Sequence, residues 1–183
     1  DSVGVEILRN GSLWKVQTQP IVYTGSDYVF SFTPKIKSEL AEYRFRLYTI
    51  YGGITPVKTI KDTIDNVVSG DAYVITGQSN AQNSDTNVTY TNNYIRTFGI
   101  QTSDYNLNAY VAGDTSWAMA RADYKPFDTG TPVPYNIGSL GMFMAQKIID
   151  SAETPVAIIN GSRGGLSIRT LLANPANNLD LNT

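Results

Sequence analysis

The sequence predicts an α/β protein that begins with an all-β segment, and three observations support that prediction. Short strand-like runs separated by turn residues fill the first third of the chain. Beyond about residue 69 the apolar runs stop alternating with polar residues, as in strands covered on both faces. Residues 139–151 (SLGMFMAQKIIDS) have a helical pattern and precede another apolar run, 156–160 (VAIIN). We therefore expect an accessory β-domain at 1–68 and an α/β domain at 69–183.

The β-segment is expected to open with a hairpin. Asn10 and Gly11 separate the runs 3–9 and 12–18, and both residue types tolerate the positive φ of a type I′ turn. Pro20 is expected to end the second strand. Further strands are predicted at 21–24, 28–33 and 43–51. Regular short strands of this kind indicate a small antiparallel β-sandwich.

The second part of the chain is expected to alternate strands with a helix. Residues 73–76 and 156–159 are both apolar and both end in loops of small residues, which predicts two parallel strands of one sheet. Another strand is expected at 94–99. Ser139 is the predicted N-cap of the helix between them. Helical spacing places five side chains on one face, of which we expect the four apolar ones to lie in the core: Leu140, Phe143, Met144, Lys147 and Ile148.

Composition argues against several classes of function. The net charge of −2 and the scattered 14 Lys and Arg residues give no footprint for nucleic acid. The longest apolar runs are far shorter than the roughly 20 residues that cross a bilayer, so no membrane partner is expected. With no cysteine, no disulfide or thiolate metal site is expected, and no cofactor or metal is predicted. Twelve Tyr and many Asn and Thr favour an exported bacterial protein, secreted or periplasmic, that faces carbohydrate.

A serine follows a glycine turn in the stretch 72–82, AYVITGQSNAQ. In α/β enzymes, catalytic groups lie in the loops beyond the carboxyl ends of parallel strands, where Ser79 is expected. The backbone N–H groups of a helix beginning near Ser79 can receive a developing oxyanion. Gln78, Ser79 and Asn80 are equally suited to capping that helix. The local pattern alone favours the capping role.

A second glycine loop is expected at the same edge of the sheet. The run ending at Asn160 continues as GSRGGLSI, which places Gly164 and Gly165 just beyond a strand's carboxyl end. Either glycine can bring a backbone N–H close to a ligand and complete an oxyanion hole with the Ser79 N–H. Neither the GxxxxGK[ST] nor the GxGxxG spacing of phosphate-binding loops is present, so a phosphate site is not predicted. A plain structural turn remains an alternative.

The two motifs together resemble those of a known family. GQSNA after a strand, followed later by PVAIINGSRGGLSI, is similar to the sialate O-acetylesterase-like branch of the SGNH hydrolases. This branch is often grouped with the carbohydrate esterases. YIRTF and the isolated Trp117 stand between them in the family's order. The resemblance implies a flavodoxin-like three-layer α/β/α domain, incomplete here, behind an accessory β-domain.

The resemblance also implies a reaction and its residues. Ser79 would be the nucleophile of ester hydrolysis through an acyl-serine, removing acetyl groups from an O-acetylated sugar. The Ser79 N–H and a glycine of the pair Gly164 and Gly165 would stabilise the oxyanion, with Gln78 and Asn80 beside them as oxyanion or substrate-binding residues. The sugar would be a sialic acid or a plant polysaccharide.

The chain departs from the family in lacking a base. Its later QGE and Asp-x-x-His motifs are absent, and the 183 residues contain no histidine. A serine hydroxyl needs a base to take its proton, and Gln82 stands where the lysine of an SxxK pair would be. We therefore expect the N-terminal piece of an esterase, inactive alone, whose remainder is supplied as a separate chain. If the isolated chain is active, the first carboxylates to test are Asp85, Asp104, Asp114 and Asp123.

Two other functions remain open. One is a noncatalytic carbohydrate-binding module in which Trp14, Tyr23, Tyr28 and Tyr43 stack on sugars. Against it, aromatic residues in such strands are usually core or form cross-strand pairs, which we favour for all four. The other is an inactive protein that keeps the SGNH fold without its histidine.

Overall fold

The computed structural model describes residues 1–52, 55–82, 88, 91–99, 116–122, 135–162, 165 and 167. The chain divides into two compact units, Asp1–Ser69 and Gly70–Thr183. Strands predominate over helices in the described residues, and the second unit combines both, giving the α/β content that the sequence predicts. Within the same residues, no helix has the length and apolar character needed to cross a membrane.

The first unit consists of antiparallel strands. Its four-stranded sheet has the order β2-β1-β5-β6, and a separate ribbon pairs β3 with β4. The elements are β1 (Ser2–Arg9), β2 (Ser12–Pro20), β3 (Val22–Tyr23), β4 (Tyr28–Val29), β5 (Tyr43–Tyr51) and β6 (Val57–Val67). The sequence predicted a two-sheet sandwich, whereas the described strands form one sheet and the ribbon. Strand β6 was not predicted, because it is largely polar and exposed on both faces.

The predicted hairpin is confirmed. Strands β1 and β2 pair antiparallel, with Arg9 opposite Ser12 across the turn. Asn10 and Gly11 have φ values of 48° and 81°, as a type I′ turn requires. Asn10 also anchors the chain that leads into β5, because its N–H donates to the Glu42 carbonyl at 2.8 Å and its Oδ1 accepts from the Glu42 N–H at 2.9 Å.

Gly4 lets an aromatic ring lie across the sheet. It stands opposite Thr18 on one side and Tyr48 on the other. The Tyr48 ring passes over Gly4, and the Tyr48 and Thr18 hydroxyls are 2.9 Å apart and hydrogen-bonded. A Cβ at position 4 would lie 2.3 Å from the Tyr48 ring. Any other residue at this position would displace the ring.

The core of the first unit forms around Ile7, Ala41 and Tyr43, which are all but fully buried. Four partly buried side chains pack against them: Trp14, Ile36, Phe45 and Val67. Tyr43 and Trp14 are ring neighbours with centroids 5.5 Å apart. These two aromatics are therefore core residues, as the strand pattern favoured.

The second unit contains a mixed sheet of order β7-β10-β8-β9. Its elements are β7 (Asp71–Ile75), α1 (Ser79–Gln82), β8 (Ile95–Phe98), β9 (Trp117–Met119), α2 (Gly138–Ala152) and β10 (Val156–Asn160). Strand β10 runs parallel to both β7 and β8, and β9 runs antiparallel to β8. The predicted parallel pairing of 73–76 with 156–159 is thereby confirmed, with Tyr73 opposite Ile158. The three-layer α/β/α arrangement remains a prediction.

The start of α2 differs from the prediction. Ile137 occupies the N-cap position and Ser139 lies inside the helix, fully buried. The Gly138 N–H, at the first turn, donates instead to the Asn136 Oδ1 at 2.9 Å. Asn136 therefore supplies the oxygen that accepts from the first N–H of the helix, because the N-cap position lies two residues before the predicted Ser139.

The buried face of α2 also differs from the prediction. Leu140 and Phe143 are 40% and 52% exposed, and Lys147 is exposed as well, whereas Met144 and Ile148 are half-buried. The buried residues are Gly138, Ser139, Gly141, Met142, Ala145 and Ile149. A Cβ at Gly141 would lie 3.2 Å from the Ile158 side chain of β10. The helix approaches the sheet through its small residues, which turns the bulkier predicted face outward.

Candidate functional site

Ser79 lies just beyond the carboxyl end of β7. The strand ends at Ile75, and Ser79 is the first residue of the short helix α1. A Cβ at Gly77 would lie 2.8 Å from the Ala81 Cβ, so this turn is too tight for a larger residue. Ser79 is exposed, and its side chain makes no hydrogen bond to another described residue. Within the described part of the chain, no side-chain hydrogen bond therefore identifies Ser79 as a helix cap.

Gln78 and Asn80 flank Ser79 and are also exposed. The Gln78 carbonyl accepts from the Ala81 N–H at 3.0 Å, which closes the first turn of α1. Backbone geometry thus fixes Gln78. The assignment of Gln78 and Asn80 to oxyanion or substrate binding remains a prediction.

The loop after β10 is joined to the Ser79 turn by backbone and side-chain hydrogen bonds. The Gly161 N–H donates to the Ile75 carbonyl at 2.9 Å, which continues the strand pairing past the end of β7. A Cβ at Gly77 would lie 4.0 Å from the Ser162 Oγ, so the two loops are in contact there. The Ser162 Oγ is buried and has no hydrogen-bond partner among the residues that the structure describes.

Asn160, the last residue of β10, fixes the relative positions of three segments. Its Nδ2 donates to the Ala81 carbonyl of α1 at 3.2 Å and to the Ile137 carbonyl before α2 at 2.7 Å. Its Oδ1 accepts from the Ser162 N–H at 3.0 Å. The sequence alone did not predict that Asn160 links these segments. The available signal was an amide side chain at the end of an apolar strand, where loop carbonyls need donors.

The glycine loop is described in part. Gly165 is exposed and has a φ of 79°, a left-handed conformation that favours glycine. Gly164 lies outside the described residues, as do the carboxylates Asp85, Asp104, Asp114 and Asp123. The structure brings the start of the glycine loop against the Ser79 turn. An oxyanion hole formed by Ser79 and either glycine remains a prediction.

No acid–base partner for Ser79 is found among the residues that the structure describes. The chain contains no histidine. In the described part of the chain, no three residues of the His, Cys, Asp and Glu types are grouped so that they could hold a metal ion. The described arrangement is thus an exposed hydroxyl in a fixed turn, without a described group that could take its proton.

Comparisons with known proteins give similarity to solved structures but not to known sequences. No family model matches the chain, and no curated protein sequence does. Among solved structures, the chain is similar to a carbohydrate acetylesterase from Xanthomonas citri, with a TM-score of 0.42 and 20% identity. The alignment covers 98% of this chain and 38% of that one, so the chain spans well under half of the esterase. A likeness at this level does not establish a shared fold.

Proposed function

We propose that the second unit contributes the nucleophile of a serine-dependent carbohydrate O-acetylesterase, with Ser79 as that nucleophile. One observation supports this most strongly: Ser79 is exposed in a tight glycine turn at the carboxyl end of β7. Parallel α/β sheets place their reactive groups at this edge. The turn is also held against the loop after β10 by the Gly161 and Asn160 hydrogen bonds. A reactant at Ser79 would meet a preorganised backbone there.

The reaction would proceed in two steps, acylation of Ser79 and hydrolysis of the acetyl-serine. The Ser79 oxygen attacks the acetyl carbonyl, its proton passes through a base to the departing sugar oxygen, and the sugar leaves as an alcohol. Water then attacks the acetyl-serine, releases acetate and returns a proton to Ser79. The negative charge on the carbonyl oxygen in each step would be stabilised by the N–H of Ser79 and that of Gly164 or Gly165.

The base is the part of the machinery that these residues do not provide. A neutral imidazole accepts and returns a proton near pH 7, and the 183 residues include no histidine. We therefore assign the base to polypeptide other than these residues. The proposed substrate is an acetylated sialic acid or an acetylated plant polysaccharide, and the proposed protein is bacterial and exported.

Acetate release tests the proposal. The 183-residue chain and the native protein purified from its source would be assayed on O-acetylated xylan and p-nitrophenyl acetate. The chain alone should show no Ser79-dependent turnover. In the native protein, Ser79→Ala should lower kcat/KM on the order of 10⁶-fold, leaving only what binding and the oxyanion donors provide.

Ser151→Ala is the matched control, because Ser151 is an exposed serine whose hydroxyl bonds only the Ile148 carbonyl of its own helix. It should leave turnover unchanged. Equal activity of the native protein and its Ser79→Ala variant would eliminate Ser79 as nucleophile. Ser79-dependent turnover by the isolated chain would instead overturn the assignment of the base to other polypeptide, and Asp85, Asp104, Asp114 and Asp123 would be the first carboxylates to test as base.

A further inference from the structure

The ribbon of β3 and β4 presents two tyrosines side by side to solvent. Tyr23 and Tyr28 are opposite each other in the ribbon register, with ring centroids 5.1 Å apart and planes at 43°. They are 59% and 69% exposed. More than half of the surface of each side chain is therefore accessible, so the two rings offer apolar area to a ligand.

Hydrogen bonds hold the turn between them in one conformation. The Thr24 N–H and Oγ1 both donate to the Asp27 carbonyl, at 2.9 and 3.0 Å. The Tyr23 hydroxyl donates to the Gly25 carbonyl at 2.7 Å, which fixes the Tyr23 ring. The Tyr28 hydroxyl makes no hydrogen bond within the part of the chain that the structure describes. A ligand at this pair would find ordered rings and one unused hydroxyl, which reduces the entropy lost on binding.

The chemistry around the pair selects the ligand. Residues 21–34 contain one charged side chain, Asp27, and no lysine or arginine. A phosphate-bearing or otherwise anionic ligand would be repelled by Asp27. A purely apolar partner would desolvate the Asp27 carboxylate without replacing its hydrogen bonds to water. A neutral sugar ring has an apolar C–H face for the tyrosines and hydroxyls at its rim for this carboxylate.

We propose that Tyr23 and Tyr28 form a binding site for neutral glycan chains, whose binding does not depend on the chemistry proposed for Ser79. The sequence analysis expected both tyrosines to be core or cross-strand residues. They do form a cross-strand pair, and the exposure of that pair is what the sequence could not show. Asp27 sets the preference for neutral over anionic sugars.

Binding would be measured on the 183-residue chain by affinity electrophoresis and calorimetry, with xylan as the neutral probe and polysialic acid as the anionic one. The wild-type chain should bind xylan and not polysialic acid. Tyr23→Ala and Tyr28→Ala should each weaken xylan binding at least about tenfold, which is about 1.4 kcal/mol. Tyr28→Phe keeps the ring and should retain most of the affinity, which guards against a loss caused by unfolding of the ribbon.

Tyr51→Ala is the control, because Tyr51 is an exposed tyrosine outside the ribbon. It should bind xylan as wild type does, and because the readout is binding and not acetate release, this test is separate from that of the esterase. Absence of xylan binding, or equal binding by the tyrosine variants, would overturn the proposal. So would a wild-type dimer in sedimentation equilibrium that Tyr28→Ala dissociates, because the pair would then be a contact between copies of the chain.

Discussion

Glu39 accepts three hydrogen bonds, two from the Arg9 guanidinium at 2.8 Å and one from the Tyr43 hydroxyl at 2.6 Å. The Arg9 hydrogen bond, followed by that of Tyr43, lowers the pKa of Glu39 from 4.5 to about 2. The same pairing raises the pKa of Arg9 further above its ordinary value. Burial, and then the bond to Glu39, raises the pKa of Tyr43. Glu39 is thus held ionised against the core of the first unit.

This cluster predicts an acid-side loss of stability. Because the pKa of Glu39 is lower in the folded state, its contribution is complete above about pH 4.5 and is lost as the pH falls towards 2. The neighbouring cation, Arg9, stays charged throughout that range. Glu39→Gln should therefore flatten the fall of the melting temperature between pH 4.5 and pH 2. Thermal melts followed by circular dichroism across that range provide the check, and an unchanged slope in the variant would refute the role.

Residue-scale prediction succeeded where one residue type sets the local conformation. Ser79 could be placed because a glycine turn after an apolar strand leaves the next side chains exposed, and the structure has it exposed. Asn160 could not be assigned its role, because its three hydrogen-bond partners come from segments 79–82, 137 and 162. Two of these partners, Ala81 and Ile137, are near in space and distant in sequence, so no local pattern indicates them.

At the scale of elements, the hairpin was predictable and the helix face was not. A type I′ turn depends on Asn10 and Gly11 alone, and their φ values are as expected. The orientation of α2 depends on Ile158, against which Gly141 packs closely. Hydrophobic periodicity gave weight to large side chains and none to glycine. It therefore selected the face with Phe143 over the face with Met142.

Paired substitutions on α2 test the corrected orientation. Met142 is fully buried and Phe143 is 52% exposed, although the two are adjacent in sequence. Met142→Ala should lower the free energy of unfolding by about 2–5 kcal/mol, because it removes buried surface and leaves a cavity. Phe143→Ala should change it by no more than about 0.5 kcal/mol. Denaturant titrations of both variants measure the two values, and the reverse ranking would restore the face that the sequence predicted.

At the scale of the whole molecule, the two units have separate sheets and separate described cores. The cluster of Ile7, Ala41 and Tyr43 belongs to Asp1–Ser69, whereas the contact of α2 with Ile158 belongs to Gly70–Thr183. The sequence indicated this change of character near residue 69, because alternating strands give way there to an apolar parallel strand. What it could not supply is the order β7-β10-β8-β9, since strand order follows from contacts among distant segments.

Separate cores predict separate unfolding transitions. Gly4→Ala should lower the midpoint of the first unit alone, because the new Cβ would lie 2.3 Å from the Tyr48 ring and overpacking of this kind costs about 1–3 kcal/mol. Met142→Ala should lower the midpoint of the second unit alone, by the loss of buried surface described above. Differential scanning calorimetry of wild type and both variants would resolve the transitions, with Trp14 fluorescence, read in a Trp117→Phe background, reporting on the first unit. A single transition that both variants shift equally would contradict this prediction, because it would mean that the chain unfolds as one cooperative unit.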